Sequence, residues 1–133
     1  MLRILFVCQD NSAASQMAEA FASMRGPEGV EAYSAAPEPA AGIDPAAVDS
    51  MRELGYDMSQ HFTRALDELP DIEFDYLVTL GGPIECPLTK ARLQVDWDVP
   101  DPKGMGGSDF RDVRDAIRQR VDRLLAAPRI ALD

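Results

Sequence analysis

The sequence is poor in several residue types on which common active sites and scaffolds depend. Its 133 residues include two cysteines and a single histidine, His61, so neither a disulfide framework nor a histidine-rich metal site is indicated. No C-x-x-C pair occurs, which argues against a structural zinc site. Because the chain has one histidine, a Ser-His-Asp triad is also poorly supported. We expect no metal and no cofactor, and the context S-Q-H-F-T-R predicts that His61 lies in a surface connection without a chemical role.

Basic residues and long apolar runs are also scarce. There are 13 lysines and arginines against 23 aspartates and glutamates, a formal charge of −10. Such a field repels nucleic acid and anionic membrane surfaces, so we expect neither as a partner. No apolar run is long enough to span a membrane, and the short apolar start lacks a signal-peptide cleavage site. We therefore expect a cytoplasmic protein that forms one domain over residues 1–133.

Apolar patterns predict strands that alternate with helices. The almost unbroken apolar run of the first strand is typical of a central strand buried on both faces. The predicted strands are Leu2–Val7, Val30–Ser34, Phe74–Leu80 and Leu93–Trp97. Alternation of this kind favours an α/β fold, a doubly wound four-stranded parallel sheet of flavodoxin-like type with helices on both faces. Ligands of such sheets bind beyond the carboxyl ends of the strands, where Cys8 lies.

Three helices are predicted from apolar spacing and capping signals. The first carries an apolar stripe from Met17 to Met24 and ends at Gly26. The second begins after the N-cap Asp44, with proline at its first position, and closes at Gly55. The last opens near Ser108, with the apolar stripe Phe110, Val113, Ile117, Val121 and Leu124.

A loop of small and polar residues joins the first strand to the first helix, in the segment V-C-Q-D-N-S-A-A-S-Q-M-A-E. Successive amides in a tight turn converge on one point, and the helix N-terminus adds partial positive charge, so this segment is suited to bind an anion. The same dipoles would lower the pKa of Cys8, which makes it a candidate nucleophile. The residues alone leave open that Cys8 is a buried structural cysteine.

The loop resembles that of the low-molecular-weight protein tyrosine phosphatases and of the related thiol-dependent arsenate reductases. Their pattern is cysteine, five residues, arginine, then serine or threonine, followed by a helix start similar to Gln16–Glu19. The resemblance implies that Cys8 is the nucleophile and that the Ser15 hydroxyl supports its thiolate. It also implies that Asn11 holds a strained left-handed turn. The oxyanion would be held by the backbone of Gln9, Asp10, Asn11, Ser12, Ala13, Ala14 and Ser15.

Two downstream segments extend the resemblance from Leu2 to about Leu125. The family's general acid is an aspartate in an Asp-Pro pair, which matches Asp101 in D-W-D-V-P-D-P-K-G, although Asp-Pro is also a common turn start. The segment V-T-L-G-G-P-I-E-C-P is similar to the redox segment of the arsenate-reductase branch, and Cys86 matches its later cysteine. Cys86 is thus a possible redox partner of Cys8.

Departures from the family pattern fall on its most reactive positions. Ala14 stands where the pattern has arginine, and losing one such preorganised donor costs roughly 3–4 kcal/mol, or about 10²–10³-fold in rate. Arg64 or Arg92 could take the place of the missing arginine only by reaching into the site from another loop. Ala13 and Gly82 occupy positions where arsenate reductases carry cysteines, so the resolving thiol would be Cys86 or a small thiol.

Three functions follow from these residues. The first is a weakened or repurposed phosphatase or arsenate reductase, and we rank it above classical tyrosine phosphatase activity. The second is a non-catalytic homologue, a pseudoenzyme that binds phosphate or a protein. The third is a Cys8–Cys86 redox switch. The implied partners are phosphate, arsenate, sulfate or a phosphorylated ligand, with a small thiol or a thioredoxin-type reductant. Whether the chain is an enzyme stays open at this stage.

Overall fold

A computed structural model describes residues 2–25, 29–82, 84–87 and 89–126. Strands and helices alternate through most of the chain, as the apolar pattern predicts. In chain order they are β1 (Leu2–Val7), α1 (Ala14–Arg25), β2 (Val30–Ala35), α2 (Pro45–Arg52), β3 (Glu73–Leu80), β4 (Lys90–Trp97) and α3 (Gly107–Ala126). A single turn of 3-10 helix, Leu66–Glu68, precedes β3.

All four strands are parallel and lie in the order β2-β1-β3-β4. The apolar β1 is central: Ile4 pairs with Ala32 of β2 on one side and with Tyr76 of β3 on the other. The chain crosses to β2 on one side of β1 and later to β3 on the other side. The carboxyl end of β1 is therefore the point where the strand order reverses, the place where open α/β sheets bind ligands.

The two faces of the sheet are covered differently. The three α-helices pack on one face over the larger apolar cluster, which includes Ile4 and Phe6 of β1. Alternate residues of the same strand, Leu5 and Val7, enter a smaller cluster that packs against Leu66 of the 3-10 turn. The predicted class, a four-stranded parallel α/β sheet with helices, is confirmed. Within the described residues the α-helices lie on one face and the 3-10 turn lies on the other, so the prediction of helices on both faces holds only through that turn.

Helix boundaries agree with the capping signals where the structure describes them. The Asp44 carboxylate accepts the N–H of Ala46 at 3.0 Å, and α2 begins at Pro45. The helix ends at Arg52, and Gly55 closes the turn that follows with a left-handed φ of 82°. The predicted end of the first helix, Gly26, lies outside the described residues. In the described part of the chain, no helix combines the length and apolarity required to cross a membrane.

A cluster of charges joins α3 to α2. The buried Arg114 donates through Nη1 to the Ser50 carbonyl at 2.9 Å and to Glu53 Oε1 at 2.7 Å. Arg111 also contacts Glu53, with Nη2 2.8 Å from Oε2. The hydrogen bonds from Arg111 and then Arg114 lower the pKa of Glu53 from 4.5 to about 2. This single carboxylate therefore connects two helices of the same layer.

The lowered pKa of Glu53 predicts a pH-dependent share of the stability. Because the folded-state pKa is below the unfolded value of 4.5, the stabilisation is complete above that pH and is lost as the pH falls towards about 2. Urea unfolding of the wild type and Glu53→Gln should show a difference in free energy that shrinks over this interval. Glu38→Gln, at an exposed site, is the control. A difference that stays constant with pH would contradict the assignment.

Candidate functional site

Cys8 is the first residue after β1 and lies at the carboxyl end of the sheet. Its side chain belongs to the cluster on the helix-bearing face and is 7% exposed. The backbone N–H groups of Ser15 and Asn11 act on its sulfur and tend to lower the pKa of the thiol. Residues on both sides of the turn therefore direct backbone donors at one atom.

Contacts on the outside of the loop explain why its amides point inward. The Asp10 carbonyl accepts the N–H of Ala40 at 2.8 Å, and the Ser12 carbonyl accepts the N–H of Asp44 at 2.9 Å. The described residues contain no cis peptide bond. In a trans peptide unit the N–H points away from the carbonyl, so the N–H that follows each of these carbonyls faces the interior of the loop. Hydrogen bonds from the segment before α2 thus keep these amides directed towards the side of the loop on which Cys8 lies.

Asn11 takes the left-handed conformation predicted from the resemblance, with φ of 58°. Its side chain is fully buried, and its Nδ2 donates to Ser15 Oγ at 2.7 Å. Its Oδ1 accepts the backbone N–H of Arg64 at 2.9 Å and Nε2 of Gln16 at 3.0 Å. These bonds offset the cost of a left-handed φ at a residue other than glycine.

The Ser15 hydroxyl is oriented towards the cysteine. Ser15 Oγ lies 2.8 Å from Cys8 Sγ and already accepts a hydrogen bond from Asn11. Its own proton is therefore free to be donated to the sulfur. This arrangement stabilises a thiolate more than a thiol.

His61 lies in a connection with exposed neighbours, as predicted, but its side chain turns inward and forms part of the support behind the loop. Its side chain is 12% exposed; Nδ1 hydrogen-bonds to Gln16 Oε1 at 3.0 Å, and Nε2 lies 2.8 Å from the Tyr56 hydroxyl. Nε2 of Gln16 donates in turn to the Asn11 carbonyl at 3.1 Å. No local pattern in the sequence signals this role, because the contact with Gln16 joins residues 45 positions apart.

The pKa of Cys8 is raised above 9.0, and the prediction of a lowered value is wrong. Burial is the largest cause, and the hydrogen bonds from Ser15 and Asn11 oppose it without overcoming it. The nearby carboxylate of Asp10 raises the pKa further. The loop dipoles are present as predicted, but the thiol packs in the larger apolar cluster, and no cation of the described residues acts on its pKa.

An ion pair occupies the loop on the side of Asp10. Its Oδ1 accepts the N–H of Ser12 at 3.1 Å and the Ser12 hydroxyl at 2.7 Å, and its Oδ2 lies 3.0 Å from Lys103 Nζ. Burial acts to raise the pKa of Asp10, but the bonds from Ser12 and Lys103 outweigh it and the pKa is lowered. Sequence reasoning did not single out Lys103, although it follows the Asp-Pro pair directly.

Asp101 lies in the turn that carries Lys103. Its side chain is exposed, and Oδ1 accepts the N–H of Lys103 at 3.0 Å. The turn is tied to the loop after β1 through the ion pair with Asp10. The general-acid role of Asp101 stays a prediction.

No arginine takes the place left by Ala14 in the described structure. Ala14 is 5% exposed and packs in the larger apolar cluster. The guanidinium of Arg64 lies over the Phe62 ring, 5.5 Å from its centre. Arg92 reaches Glu73 at 3.4 Å, near the amino ends of β3 and β4 and hence at the opposite end of the sheet from Cys8. In the described structure, neither Arg64 nor Arg92 therefore takes the place of the missing arginine.

Cys86 lies on the other face of the sheet. It is partly buried against the smaller cluster, which contains Leu5 and Val7, and burial raises its pKa. Both cysteines are free. A direct disulfide with Cys8 would require the segment 84–87 to move from one face of the sheet to the other.

One cavity of the described structure is separate from the loop after β1. It measures about 360 Å³, and its described lining includes Leu66, Leu69, Phe74, Cys86 and Lys90 but none of residues 8–15. The volume of a cavity does not identify an anion site, because a small anion needs only a turn of amides and no deep cavity. Within the described ranges, no group of three or more histidine, cysteine, aspartate or glutamate side chains could hold a metal ion.

Comparisons with known proteins agree with this geometry. The family model described as low molecular weight phosphotyrosine protein phosphatase matches residues 3–131. Glutaredoxin arsenate reductase of Synechocystis sp. is 31% identical over 95% of this chain and 98% of its own length. Arsenate reductase 2 of Staphylococcus haemolyticus is 33% identical over 90% and 92%, respectively. A solved structure, an arsenate reductase in the phosphate binding state, has a TM-score of 0.86 and 31% identity, covering 95% of this chain and 98% of that one.

The hydroxyl contact predicts how fast Cys8 is alkylated. In a Cys86→Ser background, Ser15→Ala should slow reaction with iodoacetamide at neutral pH about tenfold, because a bond that favours the thiolate is lost. The rate is followed by mass spectrometry of the intact protein. Ser50→Ala, whose hydroxyl bonds Met17 and a backbone carbonyl on α2, is the matched control. An unchanged or faster rate in Ser15→Ala would contradict the proposed orientation of the hydroxyl.

Proposed function

Because the chain belongs to the low molecular weight phosphotyrosine protein phosphatase family, we propose that residues 9–15 bind a small oxyanion against the sulfur of Cys8. The observation that carries the proposal is the loop geometry: the Ser15 hydroxyl lies 2.8 Å from that sulfur, and the outward carbonyls of Asp10 and Ser12 turn the amides that follow them inward. Arsenate and phosphate are the first oxyanions to test, since the relatives are named arsenate reductases and one is described with phosphate bound.

The chemistry begins with the Cys8 thiolate as nucleophile. Its sulfur forms a bond to phosphorus or arsenic while the bond to the leaving oxygen breaks, and Asp101 gives that oxygen a proton. With a phosphate ester, water then cleaves the bond to sulfur and regenerates the thiol. With arsenate, a second thiol attacks the Cys8 sulfur, so that the two sulfurs are oxidised to a disulfide and arsenic leaves as arsenite.

We expect the second thiol to come from another molecule. Cys86 lies on the opposite face of the sheet and has no path to Cys8 without movement of its segment. A small thiol or a thioredoxin-type reductant is therefore the reductant we propose. Such chemistry suits the cytoplasm, where thiols are kept reduced, and we propose that setting for the protein.

Two features predict a slow enzyme. Ala14 contributes no charge to the bound anion, and the raised pKa of Cys8 leaves little thiolate at neutral pH. These same features favour the second candidate, a homologue that binds an oxyanion or a phosphorylated partner without turnover. The third candidate, a Cys8–Cys86 switch, has the weakest support because it needs a rearrangement across the sheet.

Restoring the arginine tests the proposal directly. Ala14→Arg should raise turnover of p-nitrophenyl phosphate, or of arsenate with a dithiol, by about 10²-fold, because a guanidinium binds two oxygens and gains strength in the transition state. Ala14→Met, which adds length without charge, should not do so. Cys8→Ser in each background gives the blank.

Two results separate the first two candidates, and a third refutes the proposed function. Turnover that requires Cys8 and increases with Ala14→Arg supports the enzyme. Phosphate binding by calorimetry without turnover above the Cys8→Ser blank supports the non-catalytic homologue. Absence of both binding and turnover for phosphate and arsenate in the wild type and in Ala14→Arg would refute the proposed function.

A further inference from the structure

The carboxylate of Asp10 has the surroundings that a bound oxyanion would need. One oxygen accepts a backbone N–H and a hydroxyl from Ser12, and the other accepts from the ammonium of Lys103. Amide, hydroxyl and ammonium are the donors by which proteins hold phosphate. Asp10 lies inside the loop proposed to bind the oxyanion, only two residues after Cys8. It therefore occupies donors that an incoming anion would use.

Lys103 is held where its ammonium can serve the loop. Its backbone N–H is fixed by Asp101 Oδ1 at 3.0 Å, and Gly104 continues the turn with a left-handed φ of 84°. The Lys103 side chain is nevertheless 57% exposed, so the ammonium can change partners without disturbing the backbone. The other lysine of the chain, Lys90, opens β4 at the amino end of the sheet, away from Cys8.

We propose that Lys103 supplies the positive charge for the bound oxyanion in place of the missing arginine, and that Asp10 is an internal competitor for it. In the free protein Asp10 holds Lys103 and the donors of Ser12. When an oxyanion binds, its oxygens replace the Asp10 carboxylate as the partner of the Lys103 ammonium. The negative charge of Asp10 then opposes binding. This inference rests on the proposed oxyanion binding at the loop and assigns two residues that decide its strength.

The arrangement makes opposite predictions for the two partners of one ion pair. Because the two charges act on a bound anion in opposite directions at any distance, the size and the coupling of the two effects distinguish a ligand and its competitor from a purely structural ion pair. A competitor and a ligand differ in sign. Removing the charge of Asp10 releases Lys103 and removes a like charge, whereas removing Lys103 leaves the anion beside an unpaired carboxylate.

Calorimetric titration with inorganic phosphate, and then with arsenate, tests the inference. Relative to the wild type, Lys103→Gln should weaken binding about tenfold and Asp10→Asn should strengthen it about tenfold, the size expected for a hydrogen bond to a charged group. In the double variant the gain from Asp10→Asn should shrink, because no lysine remains to be released. Lys90→Gln and Asp71→Asn, at the far end of the sheet, are the charge-matched controls and should bind as the wild type does.

The outcomes separate this inference from the proposed function. If the wild type binds phosphate or arsenate, but Lys103→Gln binds as Lys90→Gln does, the role of Lys103 is refuted and oxyanion binding stands. If Asp10→Asn binds no better than Asp71→Asn, the competition is refuted in the same way. If neither the wild type nor Asp10→Asn binds either anion, the inference is refuted; if binding and turnover are also absent in Ala14→Arg, the proposed function fails with it.

Discussion

The left-handed turn at Asn11 is the constraint on which the site depends. A φ of 58° at this residue reverses the chain directly after β1, and the buried amide side chain keeps it there through Ser15, Gln16 and the backbone of Arg64. His61 fixes Gln16 in turn. Without these bonds the backbone would relax to an ordinary conformation, and its amides would no longer converge on Cys8. The amide geometry at the cysteine is thus maintained by side chains that do not touch its sulfur.

The charged groups of this loop do not match its backbone geometry, which is suited to an anion. Amides and a hydroxyl converge on a sulfur, yet the nearest ionised group inside the loop is the carboxylate of Asp10, and the cation beside it, Lys103, comes from a distant turn. Burial and Asp10 together raise the pKa of Cys8, while Ala14 contributes no charge. The backbone of an oxyanion site is thus retained with its fixed cation removed. Binding strength should then depend on how one lysine is shared.

The sequence predicted the parts of the molecule that local patterns control. The bounds of β1, the cap at Asp44 and the turn at Asn11 follow from apolar runs, capping residues and the motif, and all are found in the structure. Interactions between distant segments could not be read in this way. The contact of His61 with Gln16 joins residues 45 positions apart, and Lys103 meets Asp10 across 93. The pKa of Cys8 depends on the depth of burial, which a motif does not specify, and so its direction was predicted wrongly.

The most direct test of the account is a crystal structure of the protein grown or soaked in phosphate, with arsenate as a second anion. We predict a tetrahedral anion above Cys8 Sγ, within hydrogen-bond distance of loop amides, with Asn11 left-handed and Lys103 turned from Asp10 towards an anion oxygen. An empty loop at high phosphate, or amides of residues 11 and 15 directed away from the sulfur, would contradict the central claim that this turn is built to hold an oxyanion.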